Sequence, residues 1–376
     1  MLLLFIVCIF FIFYVYVGYP FLLWLLTRNT KLTFPSNNYF GDISVVMVVC
    51  NEGNMAAKKI QNLLSLKYSG GSTHIYVVDD ASDDNTVEIV SEYSNRITFI
   101  SSETRQGKAH GLNLAMEQAK TELVMLVDCR QELEVNVVEY LASWFTDDPA
   151  MGAVSGELMF KEVDGSNFSS GVDGYWRYEK FIRKSEAILG SVPGVSGALY
   201  MLRRASYKDI PVDTLLDDVQ IPMVCAAQGY RVGYDERAIA WDVPSMTVNQ
   251  EKARKVRTLS GNYQLLLRFP KWVLPGGHPI WWQFLSHKIS RLVAPFVIIL
   301  SVILAFKLGH SGNTLAGIFG LSVVCGLSVL PLRYVFPFLK KIKLLQLLGS
   351  FVTLNWFCLL AFKDYFFSSQ NGSWKK

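Results

Sequence analysis

Residues 122–131 read "ELVMLVDCRQ": five consecutive apolar residues, rich in β-formers, run into an aspartate at 128. A run this short and this apolar predicts a strand covered on both faces, which is the habit of parallel sheets. Three such runs precede it: "ISVVMVV" (43–49), "HIYVVDD" (74–80) and "RITFIS" (96–101). Helix-like stretches separate them, "NMAAKKIQNLLSL", "NTVEIVSEY" and "KAHGLNLAMEQA". Strand and helix in strict alternation predict an α/β fold, a mostly parallel sheet with helices on both faces. In open sheets of this kind ligands bind beyond the carboxyl ends of the strands. Those ends carry Asn51-Glu52, Asp79-Asp80 and Asp128. Each acidic residue alone suits a turn or a helix cap equally well; their recurrence along one edge points to a polar ligand. No Walker-type or Rossmann-type glycine loop follows the first strand, which removes the main support for a kinase or a dehydrogenase.

The flanks have a different character. The 376-residue chain is 51% hydrophobic, with a mean hydropathy of +0.25, too apolar for a wholly water-soluble protein. Residues 2–26 carry no charge, long enough to cross about 30 Å of hydrocarbon, and they lack the basic start and small-residue cleavage site of a secretory signal. Further apolar segments lie at about 291–306, 314–332 and 344–362. The expected layout is an N-terminal anchor (1–30), a soluble domain (38–275), then an interfacial helix and transmembrane helices (276–368). Arg28 and Lys31 follow the first span, and Arg333, Lys340, Lys341 and Lys343 precede the last, so the positive-inside rule puts both regions, and with them the soluble domain, on the cytoplasmic side. "IWWQFLSHKISR" (280–291) suits a helix lying in the membrane interface, or simply the start of the second span. The six cysteines have no paired spacing and the five histidines no metal-ligand spacing, against a disulfide framework or a zinc site. A net charge of +4 without a basic block argues against nucleic acid as the natural partner.

In order along the chain stand "VVCNEG", "YVVDDASDDNT", "RQGKAHGLNLA", "LVDCRQ", "VSGALYMLRR", "LLDDVQIPMVCAAQGYRVGY" and "RKVRTLSGNYQ". Each motif is weak alone; the seven in order resemble glycosyltransferase family 2, in its membrane-bound polysaccharide-synthase-like branch, over about residues 43–290. The resemblance implies a GT-A-type fold and inverting transfer from a nucleotide diphosphate sugar, a UDP-sugar being favoured, to a cell-surface polysaccharide or lipid-linked glycan. The setting it implies is the inner membrane, with self-association or partner subunits completing a small channel. It assigns Glu52, Asp79 and Asp80 to the nucleoside and Lys108 to the nucleotide or its phosphates. Gly197 falls to the acceptor side, and the last Asp of the doublet Asp217-Asp218 to the general base. At the Asp-x-Asp site for a divalent metal, magnesium or manganese, Asp128 remains and Arg130 replaces the second carboxylate. Where processive relatives often carry Gln-x-x-Arg-Trp, only Arg257 survives, with Arg254 nearby, so an arginine for the leaving diphosphate is kept and the tryptophan is not.

Plainer roles stand beside these: a solvated Lys108, a tight bend at Gly197, a helix cap at Asp217-Asp218, and lipid head-group contacts for Arg254 and Arg257. Arg130 also keeps open a catalytically silent relative that binds nucleotide within a glycan-synthesis complex. A small transporter finds no support, since the spans show neither buried charge nor repeat.

Overall fold

The computed structural model describes residues 1–161, 169–243, 248–336 and 342–367. Its helices are α1 (Leu2–Thr27), α2 (Gly53–Leu64), α3 (Thr86–Ser91), α4 (Lys108–Gln118), α5 (Val137–Ser143), α6 (Ser169–Ile188), α7 (Asp217–Ala227), α8 (Val248–Arg268), α9 (Trp281–His310), α10 (Thr314–Val335) and α11 (Lys343–Phe367). The strands are β1 (Ile43–Val49), β2 (Thr73–Asp79), β3 (Thr98–Ser101), β4 (Leu123–Val127), β5 (Glu132–Leu133), β6 (Met151–Phe160), β7 (Leu199–Arg203) and β8 (Arg231–Asp242).

One eight-stranded sheet runs in the order β3-β2-β1-β4-β7-β6-β8-β5. Its first half is parallel, as the apolar runs predict, with Val45 level with Ile75 on one side and Met125 on the other. The second half is mixed. β7 enters antiparallel to both β4 and β6, and β5 lies antiparallel to β8, while β6 and β8 run parallel. The strand order reverses between β1 and β4, the place where open α/β sheets bind ligands beyond the carboxyl ends of their parallel strands.

Alternation along each strand sorts the core into two layers. Val46, Val48, Val124 and Leu126 face α4 and α7, burying Leu112, Met116, Val219 and Met223. Val45, Met47, Met125 and Val127 face the opposite way, onto Ile60 of α2 and Leu141 of α5. The first layer does not stop at the sheet: it continues through Tyr263, Leu265, Trp272, Phe284, Ile289 and Leu292, so α8 and the start of α9 close over α7. The helix that carries Asp217 and Asp218 is therefore held between the sheet and the apolar helices.

Among the described residues, four helices are long and apolar enough to cross a membrane: Leu2–Thr27, Trp281–His310, Thr314–Pro331 and Leu344–Phe367. The segment 280–291, expected as an interfacial helix or the start of a span, continues into α9 through a wide turn at Phe284–Ile289. Its inward face, Phe284, Ser286 and His287, is buried. Of the basic loop before the last span, Lys340 and Lys341 lie outside the described residues.

Candidate active site

The loops after β1 and β2 are built by their own polar side chains. Asp79, fully buried, accepts hydrogen bonds from the Ser82 amide at 3.0 Å and from the Ser82 hydroxyl. Asp80 accepts from the amides of Gln106 and Gly107, both at 2.8 Å, and so ties the β2 loop to the entrance of α4. Gly107 has φ +94°, a backbone that favours glycine, and Ala81 holds φ +50°, a strained value for a residue with a Cβ. Both aspartates expected at the nucleoside thus spend their carboxylates on the backbone that shapes this edge. Asn51 and Glu52 lie on the neighbouring turn, where the Glu52 amide donates to Thr86 Oγ1 at 2.9 Å and the Asp83 amide donates to Asn51 Oδ1 at 2.9 Å.

At the end of β4 the acidic residues converge. Lys108, opening α4, sets its ammonium 2.8 Å from Asp128 Oδ1 and 2.9 Å from Asp217 Oδ2. Burial alone would lower the pKa of that ammonium, but the two carboxylates outweigh it and hold it well above its ordinary value. Gly197, in the turn before β7, leaves open the space between the carboxylates of Asp128 and Asp218. A Cβ there would stand 3.5 Å from Asp218 Oδ2 and 3.6 Å from Asp128 Oδ2. Asp128, Asp217, Asp218 and Lys108, drawn from three elements, thus share one edge with Gly197 as the gap that keeps it open. Burial, and next the charge of Asp217, push the Asp218 carboxyl up to about 6, against the pull of Lys108 and Lys288. A carboxylate in that state is a better proton acceptor than one in water.

Arg130 is oriented onto a different carboxylate. Its guanidinium donates to Asp242 Oδ2 at 2.5 Å, at the end of β8, where the Gln131 side-chain amide also donates at 3.0 Å. Asp242 is buried, so this pair closes the far side of the edge. Among the described residues no group of three His, Cys, Asp or Glu side chains could hold a metal ion.

The α8 helix positions the doublet. Gln264 accepts from the Leu215 amide at 2.9 Å and donates to the Asp213 carbonyl at 2.8 Å, while Arg268 donates to Asp213 Oδ2 at 2.6 Å. A Cβ on Gly261 would fall 2.4 Å from Leu216 Cγ, so only glycine lets α8 lie directly on the residue before Asp217. Arg257 precedes Gly261 by four residues and shares its face of the helix, one turn farther out. It is exposed, and among the described residues it makes no hydrogen bond or ion pair. Arg254 donates to Glu251 at 2.6 Å. Neither arginine touches the acidic cluster directly.

Two features escaped the sequence. One is the Lys108 bridge, whose partners lie far apart in the chain. The other is Lys288 of α9, whose Cε lies 3.7 Å from where a Cβ on Gly194 would stand, a point 3.6 Å from the Asp218 carbonyl oxygen. Nothing in "LSHKISR" signals that neighbour.

Comparison with known proteins gives a consistent picture. Residues 44–211 match the family described as "Glycosyl transferase family 2". A "Poly-beta-1,6-N-acetyl-D-glucosamine synthase" of Staphylococcus epidermidis is 24% identical over 265 residues, covering 69% of this chain and 61% of the relative. A protein of the same name from Staphylococcus aureus (strain MSSA476) is 25% identical over 231 residues, covering 60% and 56%. The chain thus spans less than two thirds of the length of these curated relatives. Among solved structures, the mannosyltransferase PcManGT from Pyrobaculum calidifontis, in complex with GDP-Man and Mn2+, superposes with a TM-score of 0.74 at 19% identity, over 98% of this chain and 100% of that one. At that identity the likeness speaks for the fold, and the fold is GT-A-like.

Proposed function

Residues 44–211 form a glycosyl transferase family 2 domain, and from that premise we propose that the chain is a membrane-bound inverting glycosyltransferase, moving a sugar from a nucleotide diphosphate sugar to a surface glycan or lipid-linked acceptor. The observation that carries the reading is the convergence of Asp128, Lys108, Asp217 and Asp218 around Gly197, at the crevice where open α/β sheets bind ligands. In the proposed step the acceptor hydroxyl faces Asp218. Its oxygen bonds to the anomeric carbon as the bond from that carbon to the diphosphate breaks, and its proton passes to the Asp218 carboxylate. One displacement inverts the anomeric configuration. Lys108 keeps Asp128 and Asp217 in place and compensates their charge. Asn51, Glu52 and the loops fixed by Asp79 and Asp80 form the nucleoside side.

A magnesium or manganese ion fits this edge in one way. Asp128 is about 38% exposed and its Oδ2 is turned away from Lys108 toward Gly197, and magnesium is commonly held by one or two carboxylates with substrate phosphates completing the shell. Asp128 would hold the ion, which supplies positive charge to the leaving diphosphate. Because the staphylococcal relatives are poly-beta-1,6-N-acetyl-D-glucosamine synthases, a nucleotide-activated N-acetylglucosamine, with UDP as the favoured carrier, is the first donor to offer. Release of nucleoside diphosphate from a panel of UDP- and GDP-sugars, using the purified chain in lipid nanodiscs, tests the reading. Donor-dependent release that requires acceptor supports it; nucleotide binding without release from any donor would leave the silent relative in its place.

Arg257 is the proposed fork for the leaving diphosphate, since Gly261 brings its face of α8 toward the doublet. Arg257→Lys should lower turnover by about tenfold or more, because a point charge does not reproduce a bidentate contact. Full activity with lysine would assign Arg257 to lipid head groups instead.

The four apolar helices and the basic residues at 28–31 and 333–343 support a multi-pass protein with its catalytic domain in the cytoplasm. A reporter inserted after residue 31, or in the 333–343 loop, should report a cytoplasmic location, and one at the C-terminus an external location. A cytoplasmic C-terminus would contradict the four-span arrangement.

A further inference from the structure

The Asp-x-Asp expected at the end of β4 lacks its second carboxylate, and Arg130, which stands in that position, bonds Asp242 instead. A carboxylate from another element reaches the same edge. The Lys108 ammonium lies 2.8 Å from Asp128 Oδ1 and 2.9 Å from Asp217 Oδ2, so α7 brings Asp217 to the cation that Asp128 already faces. The two contacts differ. With Asp128 the ammonium makes a hydrogen bond. With Asp217 Oδ2 it makes none, and that buried oxygen finds no hydrogen-bond donor among the described residues. Tyr200 of β7, 1% exposed, is in the same condition: its hydroxyl has no hydrogen-bond partner among the described residues, and of the charges around it Asp217 acts on it most strongly. A purely structural ion pair would satisfy both carboxylates. An orphaned carboxylate oxygen beside an orphaned hydroxyl fits an edge whose polar atoms also serve a ligand.

The donor set suits a hard cation. Magnesium is commonly held by one or two carboxylates with substrate phosphates and water, its oxygens about 2.1 Å away, so each carboxylate would close by less than about 1 Å from where Lys108 now holds it. The charges favour exchange over addition. Asp128 and Asp217 with Lys108 leave the edge one net negative charge. A divalent metal alone would reverse that sign, and a donor diphosphate alone would deepen it; the two together leave it unchanged. Lys108 opens α4 directly after Gly107, and its flexible stem lets the ammonium exchange a carboxylate for a phosphate without leaving the edge.

We propose that Asp217 supplies the second metal-binding carboxylate of this edge, and that Lys108 is the metal's stand-in, held between Asp128 and Asp217 until a metal and a nucleotide diphosphate enter together. The inference rests on the reading of this edge as the donor site. It separates the members of the doublet: Asp217 serves the metal, and Asp218 keeps its carboxylate for the acceptor proton.

The test follows free Mn2+ by electron paramagnetic resonance as it is titrated into the full chain in nanodiscs, with and without UDP, after subtracting the Mn2+ that UDP binds beside empty nanodiscs. With UDP the unaltered chain should hold Mn2+ at least about tenfold more tightly than without it. Asp217→Asn should weaken Mn2+ binding in the presence of UDP by about tenfold or more, and Asp217→Glu should recover most of the loss. Asp218→Asn should leave it within about twofold. Lys108→Met should act in the opposite direction without nucleotide, holding Mn2+ about tenfold more tightly than the unaltered chain because the competing charge is gone. A lysine that only braces the two carboxylates would give weaker binding instead, so this variant decides the matter even if Asp217→Asn fails to fold. Unchanged Mn2+ affinity in Asp217→Asn, or weakened Mn2+ binding in Lys108→Met, would overturn the proposal. If UDP still promotes tight Mn2+ binding in Asp217→Asn, the donor site stands and Asp217 is no part of the metal's shell. If neither UDP nor GDP alters Mn2+ binding by the unaltered chain, the donor site falls with the proposal.

Discussion

Asp218→Asn should bind the donor nucleotide almost as tightly as the unaltered chain while transferring sugar at least about 100-fold more slowly, the usual scale for losing a general base. The substitution is nearly isosteric. The Asp218 backbone, whose carbonyl accepts the Val195 amide at 2.8 Å, stays in place. What disappears is a carboxylate that burial and Asp217 have made more basic than usual. Asp217→Asn separates the doublet's two members. It removes one of the two carboxylates on Lys108 and should act through the position of that lysine, as a milder loss that includes weaker donor binding. Equal behaviour of the two variants would place the base elsewhere.

Chelation should abolish turnover, and added magnesium or manganese should restore it, with Asp128→Asn inactive under every metal condition. The reason lies in the direction of Arg130. A guanidinium about 5 Å from a divalent ion would be repelled by roughly 7 kcal/mol at an effective dielectric near 20, so the two do not share one site comfortably. Arg130 instead bonds Asp242 at 2.5 Å, leaving the diphosphate side of Asp128 without a competing cation from this residue. Arg130→Ala should therefore keep turnover within a few-fold and chiefly lower the thermal midpoint, since Asp242 would lose one partner and keep the Gln131 side chain and the Val243 amide. Chelator-resistant turnover together with an inactive Arg130→Ala would mean that the arginine has taken the metal's place.

The parallel half of the sheet is legible in the chain because its strands are buried on both faces, and unbroken runs such as "ISVVMVV" have no other comfortable place. β6 and β8 hide for the opposite reason. "RVGYDERAIAWD" carries Asp235 and Arg237 in mid-strand, which looks like a loop until the partners are known: Asp235 accepts from the Trp144 indole at 2.8 Å and from Arg237 at 2.7 Å. Satisfaction across 91 residues of chain leaves no local signal. The same limit applies to the site. Asp128, Gly197 and Asp217-Asp218 stand out by type and order, and the fold brings them together. Asp79 and Asp80 stand out equally, yet their carboxylates are bound to the backbone of two loops. Lys108 was readable as an anion binder at a helix entrance, whereas its role as a bridge between two carboxylates depends on β4 and α7 meeting. Lys288 belongs to a stretch, 280–291, whose sequence suggests only a membrane boundary.

The most direct test of the central claim is the anomeric configuration of the product, read by proton NMR after transfer from an α-linked UDP- or GDP-sugar by the purified chain in nanodiscs. The account predicts a β-linked product formed in step with nucleoside diphosphate release, both lost in Asp218→Asn. An α-linked product, or undiminished release by Asp218→Asn, would contradict it.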